Sequence, residues 1–452
     1  MNSKLLFFSI AIFLFSKGIS QKVWTLDECV AYAIENNLQL NDFEFNIQSN
    51  KESYNQSIRE LLPSIEASTN YVINFGRSTD PFTNDVVTTD FFSNSYNVNS
   101  SMDLFQGFQK WNTIKANKLL YQATKEEAQQ QKYLLAFRVL RAFYDIQFLE
   151  GLVSISKEQV AVSQSNFNLV KKRIDLGLMA GADLYEAKSL LLTDELNLTQ
   201  VENRLITAKL QLTQEMNLEN ENNIVIQPVV QKETKETYAV QSDSIFASTE
   251  TFLPILKAQE LRAKATKKQL AAARGRLAPS ISLFGGIGTG YFETTTQNVI
   301  IGNDTIRETV PFRDQFRDNT FQFIGAQMNF PIFNQWAGRS QVKQQKIEHL
   351  RAKNNLNVRR QEVYQTIQQL VQEFNALSAE FKQSQQNEQA QQLAFTIAQK
   401  RYEKGLINAI ELFTAKNLFA NAQNENLQVR LRIEVNKSTL DFYSGLPIFN
   451  IN

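Results

Sequence analysis

Lys172-Arg173-Ile174-Asp175-Leu176-Gly177-Leu178 is repeated 228 residues further along the chain as Lys400-Arg401-Tyr402-Glu403-Lys404-Gly405-Leu406. The agreement continues downstream, where Asp183-Leu184-Tyr185 and Ala187-Lys188 return as Glu411-Leu412-Phe413 and Ala415-Lys416. Upstream, the same offset carries Leu104-Phe105 onto Ile332-Phe333 with no net insertion between. Pro63-Ser64-Ile65 matches Pro279-Ser280-Ile281 at an offset of 216, so the second copy holds twelve extra residues before its Ile-Phe. One register kept over such a length marks a tandem duplication.

Each copy contains alternating stretches. Ile65, Ala67, Thr69, Tyr71, Ile73 and Phe75 fall on one face of a strand, opposite Ser64, Glu66, Ser68, Asn70 and Asn74. Tyr96, Val98, Ser100, Met102 and Leu104 oppose Asn97, Asn99, Ser101 and Asp103. In the second copy Ile324, Ala326, Met328, Phe330 and Ile332 face away from Gln327 and Asn329, and Phe284-Gly285-Gly286-Ile287-Gly288 is a weaker match. Period two over about twelve residues, with aromatics near the ends, fits a strand with lipid outside and water inside. A soluble sandwich strand alternates too, over roughly 5–6 residues. Asn97, Asn99, Ser101, Gln327 and Asn329 are then expected to face a lumen. Residues 80–93 and roughly 293–318 would close two hairpins, the second carrying the insertion.

The rest reads as helix. No proline lies between Pro81 and Pro228 or between Pro331 and Pro447, and Gly151 is the only glycine between Gly107 and Gly177. Leu135, Val139, Ala142, Ile146, Leu149, Val153, Ser156, Val160, Ser163, Phe167, Val170 and Ile174 step by four and three, a heptad seam. Its copy runs Val363, Ile367, Leu370, Phe374, Leu377, Phe381, turns polar at Ser384, Glu388 and Gln391, and recovers at Phe395, Ala398 and Tyr402. A second seam follows each glycine: Leu184, Ala187, Leu191, Asp194, Leu198 onward, and Leu412, Ala415, Phe419, Ala422, Asn426 onward. Two helical hairpins turning at Gly177 and Gly405 are expected, with incoming arms of roughly 100 Å. A water-soluble bundle accounts for the heptads but not for the strand pairs.

The first twenty residues hold Lys4, an apolar run from Leu5 to Phe15, and the small residues of Gly18-Ile19-Ser20, and read as an export signal cut before Gln21. That run is short of the ~20 residues a spanning helix needs. Cys29 lies beyond the position a lipid anchor requires and reads as a small buried residue of the first helix. With 47 Lys+Arg against 46 Asp+Glu, the net charge of +1 gives no field for nucleic acid. One Cys and one His exclude a disulfide framework and leave no cluster for a metal site. His349 sits on a charged helical face, and no phosphate loop appears. No cofactor and no catalytic residue are expected.

Four strands per chain cannot stand open in lipid, because their edge groups would be unpaired. Single-chain barrels begin at eight strands, so copies must share one barrel; two would fill its interior, while three leave a water-filled lumen.

Trp24-Thr25-Leu26-Asp27-Glu28-Cys29-Val30-Ala31-Tyr32-Ala33 with Asn36-Asn37, the Leu61-Leu62-Pro63-Ser64-Ile65 lead-in and its repeat, and Arg-x-x-x-Gly-Leu at Arg173 and Arg401 resemble the TolC family of outer-membrane channels over essentially the whole mature length. The resemblance implies a mixed α/β membrane protein. It would be a homotrimer with a twelve-stranded barrel in outer-membrane lipid and an α-helical periplasmic tunnel. Its partners would be a periplasmic adaptor (membrane fusion) protein and an inner-membrane pump of RND or ABC type. The implied organisation is a signal peptide at 1–20 and N-terminal periplasmic helices at 21–61, then a barrel hairpin at 62–105 and a tunnel hairpin at 106–216. An equatorial linker at 217–277, a barrel hairpin at 278–333, a tunnel hairpin at 334–444 and a tail at 445–452 complete it. Family members close the tunnel with polar contacts near the tips, which map onto Asp183 and Tyr402, and their acidic constriction maps onto Glu411. Thr414 and Ile407 stand where some relatives carry a second acid and an Arg. Two roles stay open for Asp183 and Glu411, a gate or a helix cap. Leu178 and Leu406, after Gly177 and Gly405, are either adaptor-docking residues or core. The function implied is an exit duct for efflux or type I secretion; the alternative is a non-conducting coiled-coil scaffold or adhesin.

Overall fold

The computed structural model describes residues 22–79, 84–88, 90–219, 224–228, 241–301 and 304–449. The export signal at 1–20 therefore lies outside the described residues, as do parts of the expected 80–93 loop, the linker and the tail.

Strand β1 (Val23–Trp24) leads into helices α1 (Leu26–Asn36) and α2 (Leu38–Arg59). Strand β2 (Ser64–Asn74), a short ribbon of β3 (Ser78–Thr79) with β4 (Val86–Val87), and β5 (Phe91–Gln106) follow. Helix α3 (Gln109–Asp175) runs 67 residues and α4 (Gly181–Met216) returns for 36. Then come β6 (Val225–Ile226), α5 (Ser242–Phe252), α6 (Pro254–Gly275), β7 (Ser280–Phe292), β8 (Thr296–Ile301), β9 (Asp304–Thr309), α7 (Phe312–Asp318) and β10 (Phe321–Asn329). Helices α8 (Ala337–Glu403) and α9 (Ala409–Tyr443) close the chain with 67 and 35 residues. The two long arms have equal length, as a duplication in one register requires. Among the described residues no helix is long and apolar enough to cross a membrane.

The contacts divide into two units: Met1–Phe45, Glu126–Lys257 and Val358–Asn452 form one, Asn46–Lys125 and Ala258–Asn357 the other. The second is built on a four-stranded sheet of order β10-β7-β5-β2, antiparallel throughout. The β5–β7 pairing joins the two repeats edge to edge, leaving β2 and β10 as outer strands. Almost every residue of β2 and β10 is exposed on both faces. Directly opposed residues in an antiparallel ladder share a face. Ile65–Ser100–Gly285–Ile324 and Ala67–Val98–Ile287–Gln322 therefore lie on one side, Glu66–Asn99–Gly286–Phe323 on the other. The apolar side ends in an aromatic group: the Tyr71 and Tyr96 hydroxyls are 2.8 Å apart, Tyr96 meets Phe316 at 5.5 Å, and Tyr291 meets Phe312 at 5.5 Å. From Ile65 to Ile73 a strand rises about 27 Å, the height of an outer-membrane apolar band.

The expected second loop is itself structured. β8 and β9 pair as a hairpin, and α7 packs beside β7 past the point where β10 ends. There the exposed edge of β7 is completed by side-chain amides. Gln315 accepts from Phe292 N–H at 2.9 Å and donates to Phe292 O at 3.0 Å, and Asn319 donates to Gly290 O at 2.9 Å. Edge groups left bare would be costly in a poorly hydrated setting.

Each strand passes into its long helix through two left-handed residues: Gly107 and Phe108 (φ +57° and +61°), and Gln335 and Trp336 (φ +56° and +62°). The spacing is again 228 residues, so the duplication is legible in backbone angles.

In the other unit, heptad positions Leu135, Val139, Ile146, Ile367, Phe374 and Leu377 are buried. One core joins Leu140, Phe143 and Leu212 to Cys29, Val30 and Ala33 of α1; another joins Val363 and Ile367 to Leu253, Leu440 and Phe442. Helix α1 starts at a capping box, with Thr25 N–H donating to Glu28 Oε2 at 2.9 Å and Glu28 N–H to Thr25 Oγ1 at 3.2 Å. Cys29 is fully buried, and burial pushes its thiol up to about 12. We therefore expect no labelling of the folded protein by a thiol-directed maleimide at pH 8, and stoichiometric labelling after denaturation. Fast labelling of native protein would show that α1 does not pack as described.

Candidate functional site

The helix-hairpin turns are built alike. Gly177 N–H donates to Ile174 O and Leu178 N–H to Arg173 O, both at 2.8 Å. Gly405 N–H donates to Tyr402 O and Leu406 N–H to Arg401 O, both at 2.9 Å. With φ of +73° and +75° at the glycines, these are helix endings that satisfy the last carbonyls. Leu178 and Leu406 are 72% and 65% exposed, so neither packs into a core within the chain.

The returning helices start differently. Asp183 reaches back to accept the Ala180 N–H at 3.1 Å, a cap bond. In α9 the cap is Asn408, whose Oδ1 accepts Glu411 N–H at 2.8 Å, and Glu411 stays exposed. Tyr402 is buried, and among the described residues its hydroxyl makes no hydrogen bond, so the carboxylate of Asp183 and this phenol are not joined in this structure. Burial raises the Tyr402 phenol above the usual tyrosine range, opposed by the nearby Arg173 charge.

At the turns, Arg173 links the two hairpins directly. Its guanidinium lies 5.6 Å from the Tyr402 ring centre and donates to Tyr402 O at 3.4 Å and Glu403 O at 2.7 Å. A cation at the final carbonyls of α8 satisfies orphan acceptors and complements the helix dipole. This residue stands in the repeated Arg-x-x-x-Gly-Leu stretch, but the sequence does not disclose its target.

Deeper in the same unit, Lys416 of α9 donates to Asp194 of α4 and, at 2.8 Å, to Ser163 of α3, whose hydroxyl in turn donates to Asp194. The Lys416 and Asp194 side chains are 2% and 6% exposed. Burial pulls the Lys416 amine down, and the bond it donates to Asp194 works against that shift. Ser163 and Asp194 interrupt two apolar seams, which was the available signal; that their partner is Lys416 required the packing. Counterparts one repeat away are Gln391, Ala422 and Lys188, so the duplication does not repeat this cluster.

On the sheet, Asn97, Asn99, Ser101, Gln327 and Asn329 share the polar face, as the ladder register dictates.

The model of the outer membrane efflux protein family matches residues 30–218 and 253–446, one segment for each repeat. The chain belongs to that family. Family members are proteins of the outer membrane, which agrees with the aromatic-ended apolar face of the sheet. Toxin and drug export protein A of Aggregatibacter actinomycetemcomitans is 23% identical over 290 residues, 64% of this chain and 61% of that protein. The chain spans between 55% and 61% of the length of the curated relatives it matches. Among solved structures, the Campylobacter jejuni CmeC outer membrane channel aligns with a TM-score of 0.78 at 15% identity, over 93% of this chain and 85% of that one. The outer membrane protein VceC of Vibrio cholerae aligns with 0.75 at 15%, over 93% and 96%. These likenesses establish the mixed helix-and-strand fold that the chain shares with those outer-membrane proteins.

Proposed function

We propose that three copies of this chain form the outer-membrane exit duct of a tripartite efflux system, receiving substrates from an inner-membrane pump of RND or ABC type through a periplasmic adaptor. The observation that carries this reading is the four-stranded sheet whose two outer strands are unpaired and exposed on both faces. Such a sheet enters lipid only when β2 of one copy pairs with β10 of the next, and three copies make twelve strands around water. In this reading residues 62–105 and 278–333 supply the barrel, and 106–216 and 334–444 the tunnel. Exposed Leu178 and Leu406, with Gly177 and Gly405 shaping the turns, form the adaptor-docking tips. Asp183 and Tyr402 belong to the entrance, with Arg173 holding the two hairpins of one chain together. Glu411, exposed at the start of α9, gives a ring of three carboxylates that favours cations.

Native mass spectrometry of the detergent-purified protein and planar-bilayer recording test this together. A trimer with stepwise conductance and cation preference in a KCl gradient is expected, and Glu411→Gln should move the reversal potential at least halfway to zero. A monomer without conductance overturns the duct; unchanged selectivity overturns the role of Glu411 alone.

A further inference from the structure

The polar face of the sheet is not polar throughout. Across the four strands, Glu66, Asn99, Gly286 and Phe323 stand in one row, and Ser68, Asn97, Gly288 and Phe321 in the next. The β2 and β5 ends of these rows are hydrophilic, and the β10 ends are phenylalanine. A Cβ placed on Gly288 would fall 2.6 Å from the Phe321 ring, and one on Gly286 would fall 3.0 Å from Phe323. Phe284 lies in the same way over Gly325, at 2.7 Å, and 6.2 Å from Phe323 between ring centres. The rings are thus seated in glycine troughs on the sheet surface, while each phenylalanine stays 37–47% exposed. Flat rings expose a π face without closing a bore. None of the four strands contains Lys or Arg. Of the two acids on this face, Asp103 is paired with Lys110 at 2.9 Å, whereas Glu66 is exposed and has no ion pair among the described residues.

A negative charge and open aromatic rings on one face of a sheet whose strands carry no Lys or Arg are the recognition chemistry of an organic cation carrying an aromatic body. We propose that Phe284, Phe321 and Phe323 with Glu66 form a binding belt on the inner wall of the barrel for aromatic organic cations. Closure of the ring sets β10 of one copy, with its aromatics, against β2 of the next, the strand that carries Glu66 on the same face. The belt rests on the trimeric duct reading, since only a closed barrel makes this face a lumen.

The test is current block in single channels held in KCl, using benzyltrimethylammonium, with tetramethylammonium and benzenesulfonate as comparisons. Benzyltrimethylammonium should produce resolvable blockades, and its apparent block constant should weaken about tenfold in Phe321→Leu/Phe323→Leu and in Glu66→Gln. The leucines keep apolar volume, so KCl conductance should stay within a factor of about two of the parent. Equal block by tetramethylammonium or benzenesulfonate overturns the belt, as does block unchanged in either variant, and both leave the duct standing. A protein that conducts no KCl overturns the duct and the belt together.

Discussion

Lys416→Met is expected to lower stability by about 3–5 kcal/mol, because it strands the buried Asp194 carboxylate and leaves it, among the described residues, with the Ser163 hydroxyl as side-chain donor. The two charged side chains are almost wholly shielded from water, so solvent screening does not soften the loss. Removing both charges should behave otherwise. Lys416→Met with Asp194→Leu replaces a desolvated pair by apolar groups of similar size, an exchange that is often neutral or stabilising. The helical circular-dichroism melt of the detergent-solubilised protein should therefore drop in the single variant and recover in the double. A single variant that melts like the parent would mean the pair is hydrated, and a double variant no better than the single would mean the shape of the site, not its charge, is what matters. The cluster draws on three helices from both hairpins and has no counterpart one repeat away. The hairpins of one chain are thus fastened to each other by a contact that the duplication did not copy.

Gly107→Ala should be nearly as damaging, at about 3–5 kcal/mol, and should reduce the yield of inserted protein. The left-handed backbone is the smaller part, since Gln335 occupies the matching junction at φ +56° with a full side chain. The larger part is space: a Cβ on Gly107 would lie 2.2 Å from Gly275 O and 2.7 Å from Ala278 Cβ. Backbone cannot step aside as a side-chain tip can. Gly177→Ala provides the control, because its φ is +73° but nothing lies within 4 Å, so only the left-handed cost of about 1–2 kcal/mol remains. Comparable melting temperatures for the two alanine variants would show that the Gly107–Gly275 approach is not tight in solution.

Much of the architecture follows from local rules that a sequence carries openly. Two-residue alternation from Ile65 to Phe75 and from Tyr96 to Leu104 places strands that the structure has at Ser64–Asn74 and Phe91–Gln106. Heptads and scarce glycine give the long arms, and the repeated Gly-Leu gives their turns. Residues 293–318 read as loop yet hold the local hairpin of β8 and β9, and α7, which is placed by non-local bonds. Gln315 and Asn319 complete a strand edge more than twenty residues earlier in the chain. The tip residues divide along the same line. Asp183 and Glu411 are visible as acids in a first helical turn, but only the folded chain shows Asp183 tied to Ala180 and Glu411 left exposed.

From the amino-acid order alone come the duplication, the strand and helix periods and the expectation that several copies share one barrel. These depend on chain geometry and on what lipid does to unpaired backbone. Tertiary structure alone decided that Lys416 meets Asp194 and Ser163, that Arg173 rests on the end of α8, and that phenylalanines lie in glycine troughs on the polar face. Each joins residues distant in the chain, and side-chain period says which way a residue points but never what it will meet there.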